Sequence, residues 1–158
     1  MSEIAVSLEN KKTDVEYRYY CDGGFCPSRN RTSPAYGSYI CERICFYQGY
    51  DKPVRSMGRQ ITLDYSCEIN TNNKAEFITL VRCLESIMDN HKSGDKVIVL
   101  LDSQTVLYSV QGKRVLKNIG LLDFGVQAQR LLTILHCMGI AVSMDWISGV
   151  EMKKILGH

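Results

Sequence analysis

The chain has 158 residues, of which 45% are hydrophobic and 23% charged, and its formal net charge is +2. This composition is typical of one soluble domain with its own core, and no segment approaches the roughly 20 apolar residues of a membrane-spanning helix. The first 18 residues are polar and unlike a secretory signal. We therefore expect a cytoplasmic, intracellular protein whose seven cysteines are reduced thiols.

The first half of the chain predicts strands that follow a polar leader. We expect residues 1–15 to form a disordered leader and residues 16–158 to form the folded domain. A tyrosine-rich strand, Glu16–Cys21, is predicted to break at the sequence DGGF. The segment AYGSYICERICFY and the extended segment from Val54 to Tyr65 follow. Short connections between these three strands predict an antiparallel meander.

The second half alternates helices with strands. Apolar residues recur at helical spacing in two segments, at Phe77, Val81, Leu84 and Met88 and at Leu121, Phe124, Ala128, Leu131 and Leu135. The run KVIVLL between them predicts a buried parallel strand, and a short helix follows it up to Gly112. The alternation of apolar and polar residues from Ile140 to Trp146 predicts a last strand with Trp146 in the core. A last helix is predicted at the end of the chain.

The order β-β-β-α-β-α-α-β-α predicts the fold class. Three antiparallel strands followed by parallel ones form a mixed five-stranded sheet, and the connecting helices cover both of its faces. The sequence therefore indicates an α/β domain.

Three acidic residues lie at the ends of the predicted elements. Asp22 falls at the break in the first strand, Asp102 follows the buried strand, and Glu76 begins the helix between them. If the two strands are neighbours, the carboxylates converge at the carboxyl edge of the sheet. Their repulsion would then require cations, and this number of hard oxygen ligands suits Mg²⁺. Two such ions roughly 3.5–4 Å apart are the usual device for phosphodiester hydrolysis.

Each acid also has a purely structural interpretation. Asp22 before two glycines suits a turn, and Asp102 with Ser103 suits a helix cap. Glu76 suits a capping box with Asn73.

The motifs YCDGG, NTNNKAEFITLVRCLE and VLLDSQTVLYSVQGK, in this order and spacing, resemble those of type I ribonuclease H. The resemblance covers roughly residues 16–158. It implies that Asp22, Glu76 and Asp102 bind two Mg²⁺ ions, with Mn²⁺ as a substitute. It also implies contacts with an RNA/DNA hybrid from the backbone of the glycine pair and from three amide side chains: Gly23, Gly24, Asn72, Asn73 and Gln104.

The match is weaker at the end of the chain. The family usually has a fourth metal ligand, an Asp on the last helix, and many members have a histidine in the loop before it. The sequence WISGVEMKKILGH has neither. His158 is the first candidate for this catalytic ligand and Glu151 the second, and the third alternative is that no fourth ligand exists. A nitrogen ligand would suit Mn²⁺ better than Mg²⁺.

The resemblance implies a monomeric endoribonuclease that hydrolyses the RNA strand of RNA/DNA hybrids by two-metal-ion catalysis. The segment QGKRVLKNIG carries only three basic residues, so we expect a modest, salt-dependent affinity for the substrate. Two alternatives stay open. The domain is either a nuclease of this fold that acts on another nucleic acid, such as branched DNA, or a nucleic-acid-binding module without catalysis.

Overall fold

A computed structural model describes residues 12–27, 34–66, 68–113 and 119–157. Within these ranges the chain forms six strand segments and four helices. In chain order they are β1 (Lys12–Phe25), β2 (Ala35–Tyr47), β3 (Val54–Met57), β4 (Ile61–Asp64), α1 (Asn72–Asn90), β5 (Lys96–Leu101), α2 (Gln104–Val110), α3 (Ile119–Cys137), β6 (Ala141–Trp146) and α4 (Gly149–Leu156).

All six segments belong to one mixed sheet with the order β3-β2-β1-β5-β6. β2 is antiparallel to β1 and β3, whereas β5 is parallel to both β1 and β6. β4 pairs with β2 on the same edge as β3, further along the strand. The predicted mixed α/β sheet is confirmed, with five strand positions occupied by six segments.

The third predicted strand is divided in two, so its prediction as one continuous segment is wrong. Pairing with β2 stops after Met57 and resumes at Ile61. Between them, the backbone N–H of Gly58 donates to the carbonyl of Cys41 (2.8 Å), and the side chain of Gln60 donates to the carbonyl of Leu156 (3.0 Å). These two contacts tie the connecting residues to β2 and to α4, and the apolar pattern of the sequence does not reveal them.

The first strand is longer than predicted, and the predicted break at DGGF is wrong. β1 stays in register with β2 from Asp14 to Phe25, and its one irregularity lies between Lys12 and Asp14. Residues 12–15, which fall in the predicted leader, belong to β1. Gly23 does not interrupt the strand because its role is in packing: a Cβ atom there would lie 2.5 Å from the carbonyl carbon of Ala75 on α1.

Helices cover both faces of the sheet, as predicted. α1, α2 and α3 pack on one face, where their apolar side chains bury alternate residues of the central strands, including Tyr19, Cys21, Val97, Val99 and Leu101. α4 packs on the opposite face, where Met152 and Leu156 contact Tyr20, Ile40 and Leu100. Within the described ranges, no helix is both long and apolar enough to cross a membrane.

The long helix α1 is fixed to β1 near both of its ends. Near its start, the backbone at Ala75 packs directly on Gly23. At its end, the buried ring of His91 hydrogen-bonds with the hydroxyl of Tyr19 (2.6 Å) and with the carboxylate of Asp95 (2.9 Å). These contacts set the position of α1 along the strand, and with it the position of Glu76.

We predict that Gly23→Ala lowers the free energy of unfolding by about 1–3 kcal/mol, because the added methyl group meets rigid backbone atoms of α1. Urea denaturation measures this change. The matched control is Gly149→Ala, where the nearest atom to the new Cβ is an Asp102 carboxylate oxygen at 3.7 Å. Equal stability of the two variants would show that α1 does not depend on this close approach.

Candidate active site

Three carboxylates meet at the carboxyl ends of β1 and β5. The two strands are parallel, and Cys21 is paired with Leu101. Asp22 and Asp102, the residues that follow this pair, therefore occupy neighbouring positions at the edge of the sheet where β5 ends. Glu76 reaches this edge from the first turns of α1. One oxygen from each carboxylate lies within 4.8 Å of the other two, and all three residues are half-buried. This acidic cluster has the convergence that the sequence predicts.

The helix cap of α1 does not use Glu76. Thr71 is the N-cap, and its hydroxyl accepts a hydrogen bond from the backbone N–H of Lys74 (3.2 Å). Glu76 lies five residues after Thr71, whereas the acid of a capping box lies three residues after the cap. The capping-box interpretation with Asn73 is therefore wrong, and Glu76 points to the acidic cluster instead.

The structural interpretations of the two aspartates also fail. Asp22 is a strand residue paired with Ser38, so it is not part of a turn. Ser103 is the N-cap of α2, and its hydroxyl accepts the hydrogen bond from the backbone N–H of Val106 (3.2 Å). The carboxylate of Asp102 belongs to the acidic cluster instead.

The environment of the cluster raises the pKa of Glu76. The pKa of Glu76 is raised to about 7: burial is the largest cause, a hydrogen bond from Ser103 partly opposes it, and the negative charges of Asp102 and Asp22 add to the rise. Without a cation, this carboxyl group is therefore partly protonated near neutral pH. A bound cation would favour the ionised form.

Two features of the C-terminal part of the chain border Asp102. The indole N–H of Trp146, at the end of β6, donates to the backbone carbonyl of Asp102 (3.1 Å). Gly149, the first residue of α4, lies beside the Asp102 carboxylate. Trp146 is 43% exposed, so its prediction as a core residue is wrong. Trp146 is the last residue of the edge strand β6. The alternation of apolar and polar residues does not show how far along this strand the helices pack.

The predicted substrate-contacting residues fall into two groups. Asn72, Asn73 and Gln104 are exposed at the first positions of α1 and α2. The side-chain oxygen of Asn72 also accepts a hydrogen bond from the backbone N–H of Phe25 (2.7 Å), which ties α1 to the end of β1. The glycine pair is buried: Gly23 packs on α1, and a Cβ atom on Gly24 would lie 2.7 Å from the Tyr36 ring.

Glu151, the second candidate for a fourth metal ligand, is not part of this cluster. Glu151 is exposed on α4, and its carboxylate accepts a hydrogen bond from Lys154 (3.4 Å). In the described ranges, the group of acidic, histidine and cysteine side chains close enough to share an ion contains only Asp22, Glu76 and Asp102. His158 lies outside the described residues.

Sequence reasoning missed two residues that contact the cluster. The sequence predicts Ser103 only as a cap residue, yet Ser103 also hydrogen-bonds with Glu76. Its position directly after an acidic residue at a strand end is the signal that could have found it. The contact between Trp146 and Asp102 joins residues 44 apart in the chain and has no local signal.

No family model matches this sequence, and no curated protein matches it either. Solved structures do match. The N-terminal RNase H domain of a Mycobacterium tuberculosis protein, solved as a fusion with maltose-binding protein, is 22% identical, with a TM-score of 0.54 over 89% of this chain and 88% of that one. RNase H1 from the archaeon Halobacterium salinarum is also 22% identical, with a TM-score of 0.54 over 87% and 89% of the two chains.

A third similar structure is LC11-RNase H1, solved in complex with an RNA/DNA hybrid. It is 19% identical, with a TM-score of 0.50 over 89% of this chain and 90% of that one. These similarities extend over nearly the whole chain and agree with the mixed sheet, which carries helices on both faces. The chain therefore has the fold of type I ribonuclease H domains.

Proposed function

We propose that this protein is an endoribonuclease that hydrolyses the RNA strand of RNA/DNA hybrids. The observation that carries the proposal is the convergence of Asp22, Glu76 and Asp102 within 4.8 Å at the sheet edge. The crystallisation of the similar LC11-RNase H1 with an RNA/DNA hybrid supports the substrate class. The motifs that resemble ribonuclease H contain the same three acids.

The cluster fits divalent metal ions. Its ligand atoms are carboxylate oxygens, which Mg²⁺ prefers, and Mn²⁺ accepts the same set. Burial, followed by the charges of Asp102 and Asp22, raises the pKa of Glu76 and so disfavours its ionised form, which a bound cation would favour. Two bound Mg²⁺ ions would supply an activated water and stabilise the negative charge that develops on the leaving 3′ oxygen.

The protein's own groups hold the three carboxylates in place. Strand pairing fixes Asp22 and Asp102 side by side, and the Trp146 indole anchors the main chain at Asp102. Ser103 donates a hydrogen bond that favours the charged form of Glu76, and hence metal binding. No covalent intermediate is required, so the cysteines have no catalytic role in this proposal.

Polar groups next to the cluster would bind the nucleic acid. Asn73 and Gln104 present exposed amides at the starts of α1 and α2, on the same edge of the sheet as the acids. In this proposal they contact the sugar–phosphate backbone together with Asn72, whereas the buried glycine pair only permits close packing within the protein. Contacts with 2′-hydroxyl groups would distinguish RNA from DNA.

We predict that Asp102→Asn lowers the rate of hybrid cleavage by more than about a hundredfold. Substitution of a residue that only supports a metal ligand already lowers metal affinity or activity by about 10–100-fold, and loss of a ligand should cost more. A cleavage assay with a labelled RNA strand measures this change, and circular dichroism checks that the fold is intact. The control is Asp145→Asn, an exposed aspartate on the neighbouring strand β6. Undiminished cleavage by Asp102→Asn would refute the metal-binding role.

The same assay tests the substrate class. Hybrid, duplex RNA and junction DNA are compared at equal concentration, and we expect cleavage of the RNA strand of the hybrid. Preferential cleavage of junction DNA would replace the proposed substrate while leaving the metal site in place.

We predict that the free energy of unfolding of the metal-free protein falls as the pH rises from about 4.5 to about 7. Over this range the folded protein retains a proton on Glu76 that the unfolded chain has released. The loss amounts to at most about 3 kcal/mol, since one pKa unit corresponds to about 1.4 kcal/mol. Mg²⁺ favours the ionised carboxylate, so its stabilising effect should grow between pH 5 and pH 8.

Urea denaturation at pH 5 and pH 8, with and without Mg²⁺, measures both effects. Glu76→Gln removes the titrating group and should remove this part of the pH dependence. If the variant and the natural protein show the same dependence on pH, Glu76 does not titrate in this range.

The fourth ligand is tested at the end of the chain. If His158 binds a metal, His158→Ala lowers cleavage by about tenfold or more, and a nitrogen ligand makes the loss larger with Mn²⁺ than with Mg²⁺. His136→Ala, at an exposed position on α3, is the control. Unchanged cleavage by His158→Ala with both ions would exclude this histidine as a ligand.

A further inference from the structure

The indole ring of Trp146 is exposed next to the acidic cluster and is held there. Its N–H donates to the backbone carbonyl of Asp102 (3.1 Å), so the ring is anchored to the residue that carries one of the three carboxylates. Despite this hydrogen bond, 43% of the surface of Trp146 is exposed to solvent. A single exposed hydrophobic residue is ordinary in a folded protein, but one that is hydrogen-bonded to the active-site backbone is not explained by chance exposure.

A second exposed apolar side chain follows the residue that borders the Asp102 carboxylate. Val150, in the first turn of α4, is 67% exposed. The residue before it, Gly149, lies so close to Asp102 that a Cβ atom added there would be 3.7 Å from a carboxylate oxygen. Asp102 thus has an exposed aromatic ring hydrogen-bonded to its backbone, and the first turn of α4, which carries the exposed Val150, begins beside its carboxylate. Metal ions and phosphate need no such surface, whereas the sugar and base of a bound nucleotide do.

We propose that Trp146 contacts the substrate directly, by packing its exposed ring against the nucleotide next to the scissile phosphate. This inference rests on the proposed function and adds a substrate-contacting residue to it. The sugar and base adjoining a phosphate that is bound at the acidic cluster lie within reach of groups at its border. Packing on an aromatic ring is tolerant of sequence because every base has a π-face, so Trp146 contributes affinity without selecting a sequence.

The hydrogen bond to Asp102 suggests a competing role, in which Trp146 only positions the carboxylate. Two substitutions separate the roles. Trp146→Phe keeps an aromatic ring and loses the N–H donor, whereas Trp146→Ala loses both. If the ring contacts the substrate, Trp146→Ala raises the KM for hybrid cleavage about tenfold, and Trp146→Phe stays within about threefold of the natural protein. An equal loss in both variants would overturn the inference, because it would assign the effect to the hydrogen bond.

A direct test does not depend on cleavage. Trp146 is the only tryptophan in the chain, so the intrinsic indole fluorescence reports on this position alone. The full-length Asp22→Asn variant, which should bind a hybrid without cleaving it, is titrated with an RNA/DNA hybrid in the presence of Mg²⁺. We expect the emission to change at saturation and the ring to become protected from quenching by acrylamide.

The outcomes separate this inference from the proposed function. Fluorescence anisotropy of a labelled hybrid measures binding independently. If the hybrid binds while the emission and the acrylamide quenching of Trp146 stay unchanged, the contact does not exist, although the nuclease proposal stands. If no hybrid binds and the natural protein cleaves none, both proposals fail. Tyr50→Ala, at a 54% exposed aromatic residue between β2 and β3, is the control and should leave KM unchanged.

Discussion

The parallel pairing of β1 with β5 is the constraint on which the site depends. It joins strands that are separated by about half of the chain, and its register places Cys21 opposite Leu101. The residue after each of these is an aspartate. A slip of one residue would turn one of the two side chains to the opposite face of the sheet. The buried run of β5 resists such a slip because Val97, Val99 and Leu101 all lie in the core.

The third carboxylate depends on a different kind of contact. Glu76 is carried by α1, and the distance between α1 and the sheet is set by the absence of a side chain at Gly23. The pocket that results is confined enough to raise the pKa of Glu76 to about 7. The same geometry therefore brings the acid to the other two and makes its charge unfavourable in the isolated protein. Cation binding is the natural compensation for this conflict.

The sequence predicted features that depend on local pattern. Phe77, Val81 and Leu84 identify α1 because a helical face repeats within the sequence itself. Glu76 and Asp102 could be found because they lie at the boundaries of strongly patterned elements, whereas Asp22 lies inside β1 and is identified by its motif. The errors involve long-range contacts. The glycines after Asp22 suggested a break, since nothing in the sequence shows that α1 packs against Gly23. Trp146 fits the alternation of apolar and polar residues along β6. Its exposure, however, depends on whether other elements pack on it, and the local pattern contains no information about that packing.

The division of the outer strand affects how the sheet meets its surroundings. An uninterrupted edge strand offers a row of free main-chain groups on which a second chain can add a strand of its own. Here that edge consists of two four-residue strands, and short edge strands are poor templates for an added chain. At the far edge, the side chain of Gln111 binds the carbonyl of Met144 on β6. Both borders thus carry built-in obstacles to intermolecular β-sheet growth, a safeguard against aggregation that is independent of the chemistry at the acids.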